Sequence, residues 1–374
     1  MTPVSWTPEA TDGPARAGTL HTPHGDVPTP VFMPVGTRAS VKGLDATDLE
    51  DLGATMVLAN TYHLMLRPGS DLIDRMGGLH GFMSWRRPVL TDSGGYQVFS
   101  LGPRITETGA VFRSVYDGSE VSLTPEQAVR HQERLGADVA MVLDICLGLP
   151  SPLPDIEEAM ERTLRWSERS LAAHRRPDQA LFGIVQGGVS PELRRASAAA
   201  TAALGFPGFG IGGLSVGEPA TDRNLALEAT MKELPPDRPR YLMGVGDPQG
   251  ILDAIARGVD MFDCVWPTRL ARHGKVLGKR GDYNLRRAAF EADERPLDPD
   301  CGCSVCGRYT RSYLRHLLRV GEASSGRLIS IHNLSYVTGL MSAARRAIAA
   351  GEFSGFCRRF ADLRVSRDAP GPLI

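Results

Sequence analysis

Three aspartates each end a short apolar run: Asp92 in LTDSGGYQVFSL, Asp144 in VLDICLG and Asp263 in MFDCVWPTR. Two carboxylates that face one another can cleave a glycosidic bond, one as nucleophile and the other as general acid/base. Asp144 has a further use open to it, accepting hydrogen bonds from the N–H groups of a ligand. A single aspartate after a strand more often caps the next helix; three on one face of a fold are harder to assign that way. Residues suited to a flat heterocycle surround them. Gly94-Gly95 and Gly212-Gly213 let backbone approach a ring closely. Gln186 in GIVQGG offers a base edge both a donor and an acceptor. Tyr96 and Met243 can cover the faces of such a ring, or pack in the core. Arg269, Arg272 and Lys275 in PTRLARHGK come directly after Asp263, where cations suit phosphates.

A second constellation points to metal. Cys301-x-Cys303-x2-Cys306 gathers three of the six cysteines within six residues, and His332 follows. Three thiolates and one imidazole complete a tetrahedral zinc site with no position left for water, which makes it structural. The expectation is one zinc per chain and no organic cofactor. Cys264 and Cys357 lack partners at ligand spacing and read as buried thiols.

The elements that must position these groups are legible as eight short runs bounded by turn residues. They are 31–36, 55–59, 88–91, 138–143, 181–185, 208–213, 241–245 and 260–263. Helical patterns lie between most of them, at Thr47–Leu52, Pro125–Leu135, Ile156–His174 and Pro191–Leu204. Strands alternating with helices imply a parallel sheet, and eight nearly all-apolar runs favour a (β/α)8 barrel over an open sheet. Polar residues gather just after the runs: Asn60-Thr61, Asp92-Ser93, Asp144, Gln186, Gly212-Gly213, Gly244–Gly246 and Asp263. In a barrel those ends share one face, which carries the active site. A dinucleotide-binding reading fails, because GFGIGG lies inside the sixth run rather than after a first strand. Residues 282–330 break the alternation and precede a helical stretch near Thr338–Ala350. The expected division is therefore a barrel with an N-terminal extension over 1–281, a zinc-binding insertion over 282–336 and a helical segment completing the barrel over 337–374. The tail DAPGPLI is expected to fray.

The 374 residues, 42% hydrophobic and 23% charged, with a mean hydropathy of −0.15, exclude collagen-like and disordered classes. No run approaches the length of a membrane span, and the first residues lack a basic start followed by an apolar stretch. A cytoplasmic location is expected, where cysteines serve as thiols or ligands rather than disulfides. The net charge of −1 conceals an asymmetry. Residues 265–374 hold 19 basic against 10 acidic residues, and the rest of the chain 23 against 33. A basic end on an acidic body suits a polyanionic partner.

Taken together, the strings HTPHGDVPTPVFMPVGT, LANTYHLMLRPG, LTDSGGYQVFSL, GIVQGG, GGLSVGE, YLMGVG, FDCVWPTR and CGCSVC…HNL resemble the bacterial tRNA-guanine transglycosylases, also called queuine tRNA-ribosyltransferases. The resemblance runs from about Thr22 past His332. It implies a (β/α)8 barrel with a zinc subdomain, a homodimer, and the exchange of guanine at the wobble position of GUN anticodons (Asp, Asn, His and Tyr tRNAs) for 7-aminomethyl-7-deazaguanine, a queuosine precursor. By motif position Asp263 would attack the ribose C1′ and Asp92 would serve as general acid/base. Ser93, Asp144, Gln186 and the Gly213-Leu214 backbone would grip the base, with Tyr96 and Met243 on its faces. Cys146 matches a pocket residue, and Glu218 would favour the cationic aminomethyl arm. Gly244, Val245, Gly246, Thr268, Arg269, Arg272 and Lys275 would contact the tRNA.

The chain departs from the family pattern at Ile145, Leu147 and Gly148 beside Cys146, and at Leu270 and His273. The first group bears on the rim of the base pocket, the second on the neighbouring nucleotide. Competing readings are a non-catalytic tRNA-binding subunit, against which both Asp92 and Asp263 speak, and a retaining glycosidase acting on sugars, in which the basic end and the Cys3His group would be idle. A relative of archaeal type would be expected to carry a further C-terminal RNA-binding domain.

Overall fold

The computed structural model describes residues 3–365; the DAPGPLI tail lies outside them. Eight parallel strands close into a barrel. They are β1 (Val31–Gly36), β2 (Val57–Ala59), β3 (Val89–Thr91), β4 (Val139–Met141), β5 (Ala180–Val185), β6 (Phe209–Ile211), β7 (Arg240–Leu242) and β8 (Met261–Cys264). Each is one of the eight runs of the sequence. The ring closes where β8 pairs with β1, with Phe262 opposite Phe32. β1 and β5 are buried along their whole length, as strands must be when side chains fill the barrel and helices cover its outside. Several strands are shorter than their apolar runs, with residues such as Leu143 and Gly213 lying just beyond the ladder.

Local chemistry fixes the helices. Thr124 and Gln127 form a reciprocal capping box, Pro125 opens the helix and Gly136 closes it at φ +69°; the helix occupies Pro125–Leu135 as its sequence predicts. Two additions were not legible as runs. A three-stranded antiparallel sheet (Arg104–Ile105, Ala110–Arg113, Glu120–Leu123) rises between β3 and that helix. At the chain start, Ser5–Asp12, Ala15–Thr22 and Gly25–Thr29 form a second antiparallel sheet. It is clasped to the foot of the barrel by Arg16, which is paired with fully buried Asp260 just before β8.

The helix expected near Thr338–Ala350 is longer, spanning Ala323–Ala349. Its apolar positions, including Ile329, Val337, Leu340, Met341, Ala344 and Ile348, recur at three- and four-residue intervals along one buried stripe. Gly326 lowers the helical propensity of its first half, which was not legible as a helical pattern. This closing helix carries His332 and Asn333, and packs on β1 and on the helix Trp266–Arg272 that follows β8. Among the described residues no helix is long and apolar enough to cross a membrane.

Candidate active site

The aspartates ending β3 and β8 and the one following β4 all open on the C-terminal mouth. None of them caps its own following helix. Asp92 accepts the Thr61 N–H at 2.8 Å and an Asn60 side-chain donor, both from the residues that follow β2. Asp263 accepts the Tyr241 hydroxyl at 2.6 Å and the Gly244 N–H at 2.8 Å. Asp144 accepts Gln186 Nε2 at 2.6 Å and the Ser93 hydroxyl at 3.5 Å. Three carboxylates are thus each braced by a neighbouring strand end, which fixes their orientation before any ligand arrives.

Burial sets their protonation. Desolvation pushes Asp92 up to about 6, and the nearby negative charge of Asp263 adds to that, while Asn60 and Thr61 oppose it. Asp263 is raised by burial and opposed by Tyr241 and Gly244. Asp144 is likewise pushed by burial to about 6. Two buried carboxylates that feel one another share a proton more readily than they both ionise. Each of the two accepts two donors, Asp92 one on each oxygen and Asp263 both on a single oxygen.

Asp144, Gln186 and the glycines that follow β3 and β6 are packed closely together. A Cβ on Gly212 would meet Gln186 Nε2 at 2.5 Å, one on Gly213 would meet Gln186 Oε1 at 2.5 Å, and one on Gly95 would meet Asp144 Oδ1 at 2.7 Å. These three glycines are required by space. Met243, half-buried, reaches the backbone of β6, and Tyr96 is 61% exposed at the rim. Cys146 is half-buried beside Asp144, its thiol raised to about 12 mainly by burial. Glu218 accepts the Val216 N–H at 2.9 Å. Leu214 is a core side chain, so only its backbone can face a ligand.

The expected RNA-binding group divides. Arg269 is exposed, whereas Arg272 is half-buried and donates to the Thr268 carbonyl at 2.9 Å. Lys275 lies 3.9 Å from Asp282 and over the Trp266 ring. The Thr268 hydroxyl bonds to the Val265 carbonyl, and Val245 is core. Gly246 has Cys264 where its Cβ would be, and Gly244 is exposed. Of the departing residues, Ile145 is buried and its N–H donates to Thr163. His273 bonds to the Arg269 carbonyl.

Three supporting residues carried no role in the sequence reading: Asn60, Tyr241 and Arg194. Arg194 is fully buried and bonds to the carbonyls of Gly188, Val185 and Gly212 at 2.7, 3.1 and 2.8 Å. Its sequence signal was a charged residue on the same helical stripe as Ala198 and Thr201. By holding the Gly212 carbonyl it fixes the peptide whose opposite side carries the Gly213 N–H, which meets the Cys146 sulfur. Arg194→Lys keeps the charge but cannot span three carbonyls. We expect the KM for a free base to rise about tenfold, the worth of one or two neutral hydrogen bonds, with RNA affinity unchanged. A parallel loss of RNA affinity would mean general collapse of the mouth.

Cys301, Cys303, Cys306 and His332 place their ligand atoms within 4.8 Å of one another. His332 Nε2 bonds to the Leu277 carbonyl at 2.8 Å, leaving Nδ1 at 3.3 Å from Cys306 Sγ and 3.7 Å from Cys303 Sγ. A ring held by its far nitrogen, with its free nitrogen facing three sulfurs, is a fitting metal-binding set. His24, His80 and Asp138 also cluster, at the opposite end of the barrel. Their imidazole planes are stacked at 3.5 Å and 14°, so the in-plane lone pairs cannot converge on one ion. Asp138 instead accepts His24 Nδ1 and the Val89 N–H, a clasp between the N-terminal sheet and β3.

The sequence pattern of the queuine tRNA-ribosyltransferase family matches residues 11–366. The chain is similar to the queuine tRNA-ribosyltransferase of a Thermus thermophilus strain, at 52% identity over 372 residues, covering 99% of this chain and 97% of the relative. It is similar to that of Moorella thermoacetica at 54% identity over 90% and 91% of the two chains, and to that of Geobacillus kaustophilus at 50% over 92% of each.

Proposed function

Because this chain belongs to the queuine tRNA-ribosyltransferase family, we propose that it is a tRNA-guanine transglycosylase of queuosine synthesis. It exchanges guanine at the wobble position of GUN anticodons for 7-aminomethyl-7-deazaguanine. The observation that carries the reading is the pair of desolvated carboxylates Asp92 and Asp263, the first of which feels the charge of the second, on the mouth that also holds the bonded pair Asp144 and Gln186.

In the first half-reaction Asp263 attacks the ribose C1′. The C1′–N9 bond breaks, its electron pair leaves with guanine, and the Asp92 proton neutralises the departing base. In the second half Asp92 takes the N9 proton of the incoming base. N9 then attacks C1′ and the ester bond to Asp263 breaks, so two inversions retain the anomeric configuration. One recess serves both bases in turn, with Asp144 accepting from the ring N–H and exocyclic amino groups. Ser93 and Gln186 hold that carboxylate, Gly213 and Leu214 offer backbone groups, and Tyr96 and Met243 cover the faces. Cys146 and Glu218 complete the pocket, Glu218 placing a negative charge near a cationic aminomethyl arm. Anticodon-loop bases are already partly unstacked, which lowers the cost of extracting one. Arg269 would meet the backbone. The Cys3His group would hold a zinc ion whose role is to tie the 301–306 loop to the closing helix, outside the reaction.

The test is incubation with radiolabelled guanine and an unmodified tRNA-Tyr anticodon stem-loop. Label should enter the wobble position, be absent from a stem-loop with adenine there, and be chased out by 7-aminomethyl-7-deazaguanine. Release of guanine without uptake of any base would make the protein a hydrolase instead.

A further inference from the structure

Arg38 and Arg67 lie over the ring of Tyr116, with guanidinium carbons 5.5 and 4.6 Å from its centroid. His63 Nδ1 sits 3.3 Å from the Tyr116 hydroxyl and holds the ring in place. Both arginines are exposed, and among the described residues neither has a carboxylate partner. The neighbouring acid, Asp117, is bonded to Ser119. Stacking uses the face of a guanidinium and leaves its N–H edge free, the edge that binds phosphate bidentately. Two cations resting on one aromatic ring are partly placed before a ligand arrives, which lowers the cost of ordering them.

The barrel order places this stack. Arg38 follows β1, Arg67 follows β2, and exposed Arg269 follows β8, and β8, β1 and β2 are consecutive in the ring. The three free guanidiniums therefore occupy one arc of the mouth, spanning roughly 10 Å along the wall at two inter-strand spacings. The opposite arc carries Asp144 and Glu218, which follow β4 and β6. The cationic arc is the side that favours a polyanion, and it begins beside Asp92, which is bonded to the backbone of Thr61, two residues before His63.

We propose that Arg38, Tyr116 and Arg67 form a second RNA-binding surface, which grips the single-stranded backbone on the side of the target nucleotide away from Arg269. The proposal rests on the reading of this protein as an RNA-modifying enzyme. It assigns contacts to the excursion between β3 and the next helix, which holds Tyr116 at its tip.

The experiment compares wild type, Arg38→Gln/Arg67→Gln and Tyr116→Leu for binding of the anticodon stem-loop between 50 and 300 mM KCl (concentrations of roughly the range over which counterion release is read), with the KM for free base and the melting temperature measured alongside. The double variant should bind about tenfold more weakly at low salt, and its log–log salt slope should be shallower by about 1.4, the value for two phosphates of a single strand. Tyr116→Leu should weaken binding at an unchanged slope, because it removes the platform and not the charges. KM for the free base should stay within about twofold. An unchanged slope in the double variant, or a base KM rising in step with RNA affinity, overturns the proposal. Failure of wild type to exchange bases would remove the functional reading alone, since the salt slope reports the surface independently.

Discussion

Asp263→Asn should abolish base exchange, by roughly 10^4-fold or more, the scale on which loss of a covalent nucleophile acts. It should do so without loss of RNA binding. The amide oxygen can still accept from the Tyr241 hydroxyl and the Gly244 N–H, which both meet one carboxylate oxygen, so the shape of the mouth survives while nucleophilicity does not. Wild type mixed with its stem-loop should yield an RNA–protein adduct that withstands denaturant, and the variant should yield none. The pH dependence has a defined sign. Asp92, raised to about 6, holds its proton below that value, so adduct formation should slow as pH rises through about 6. Asp92→Asn should flatten that limb and depress exchange, since guanine can no longer be protonated as it leaves. An undiminished adduct in Asp263→Asn would move the nucleophile elsewhere, with Asp92 the next candidate.

Loss of the metal site should cost the protein its fold near the C-terminus. Three ligands come from a loop with little secondary structure and the fourth, His332, from the middle of the closing helix. That helix packs on β1 and on the helix after β8, so one ion would join a loop to an element seated against the barrel. Cys303→Ala should purify with less than one zinc per chain and melt lower by on the order of 10 °C, because binding energy at such sites is folding energy. Metal analysis and calorimetry on the same preparation check both halves. A metal-free variant that melts with wild type would make the site incidental.

The chain by itself determined the barrel, because each strand is buried on both faces and must be a continuous apolar run, and eight runs with polar ends can be counted without coordinates. It also determined the sulfur ligands, whose spacing is local, and the three aspartates, each marked by its place at or just after a run. The capping box at Thr124 and Gln127 set a helix to the residue for the same reason. What only the tertiary structure decided was everything depending on contact between distant segments. Asn60 is marked in sequence only as a polar residue after a run and Tyr241 not at all, and they become supports of Asp92 and Asp263 once neighbouring strands bring them within hydrogen-bond distance. Arg194 looks like one more arginine until the barrel buries it against three carbonyls. Lys275 reads as a free cation and is in fact beside Asp282, while Arg38 and Arg67, 29 positions apart in the chain, meet on a tyrosine from a third segment. Periodicity and motif spacing report interactions within a few residues of the chain; pKa, pairing and burial of a side chain are set by what closure of the barrel places next to it.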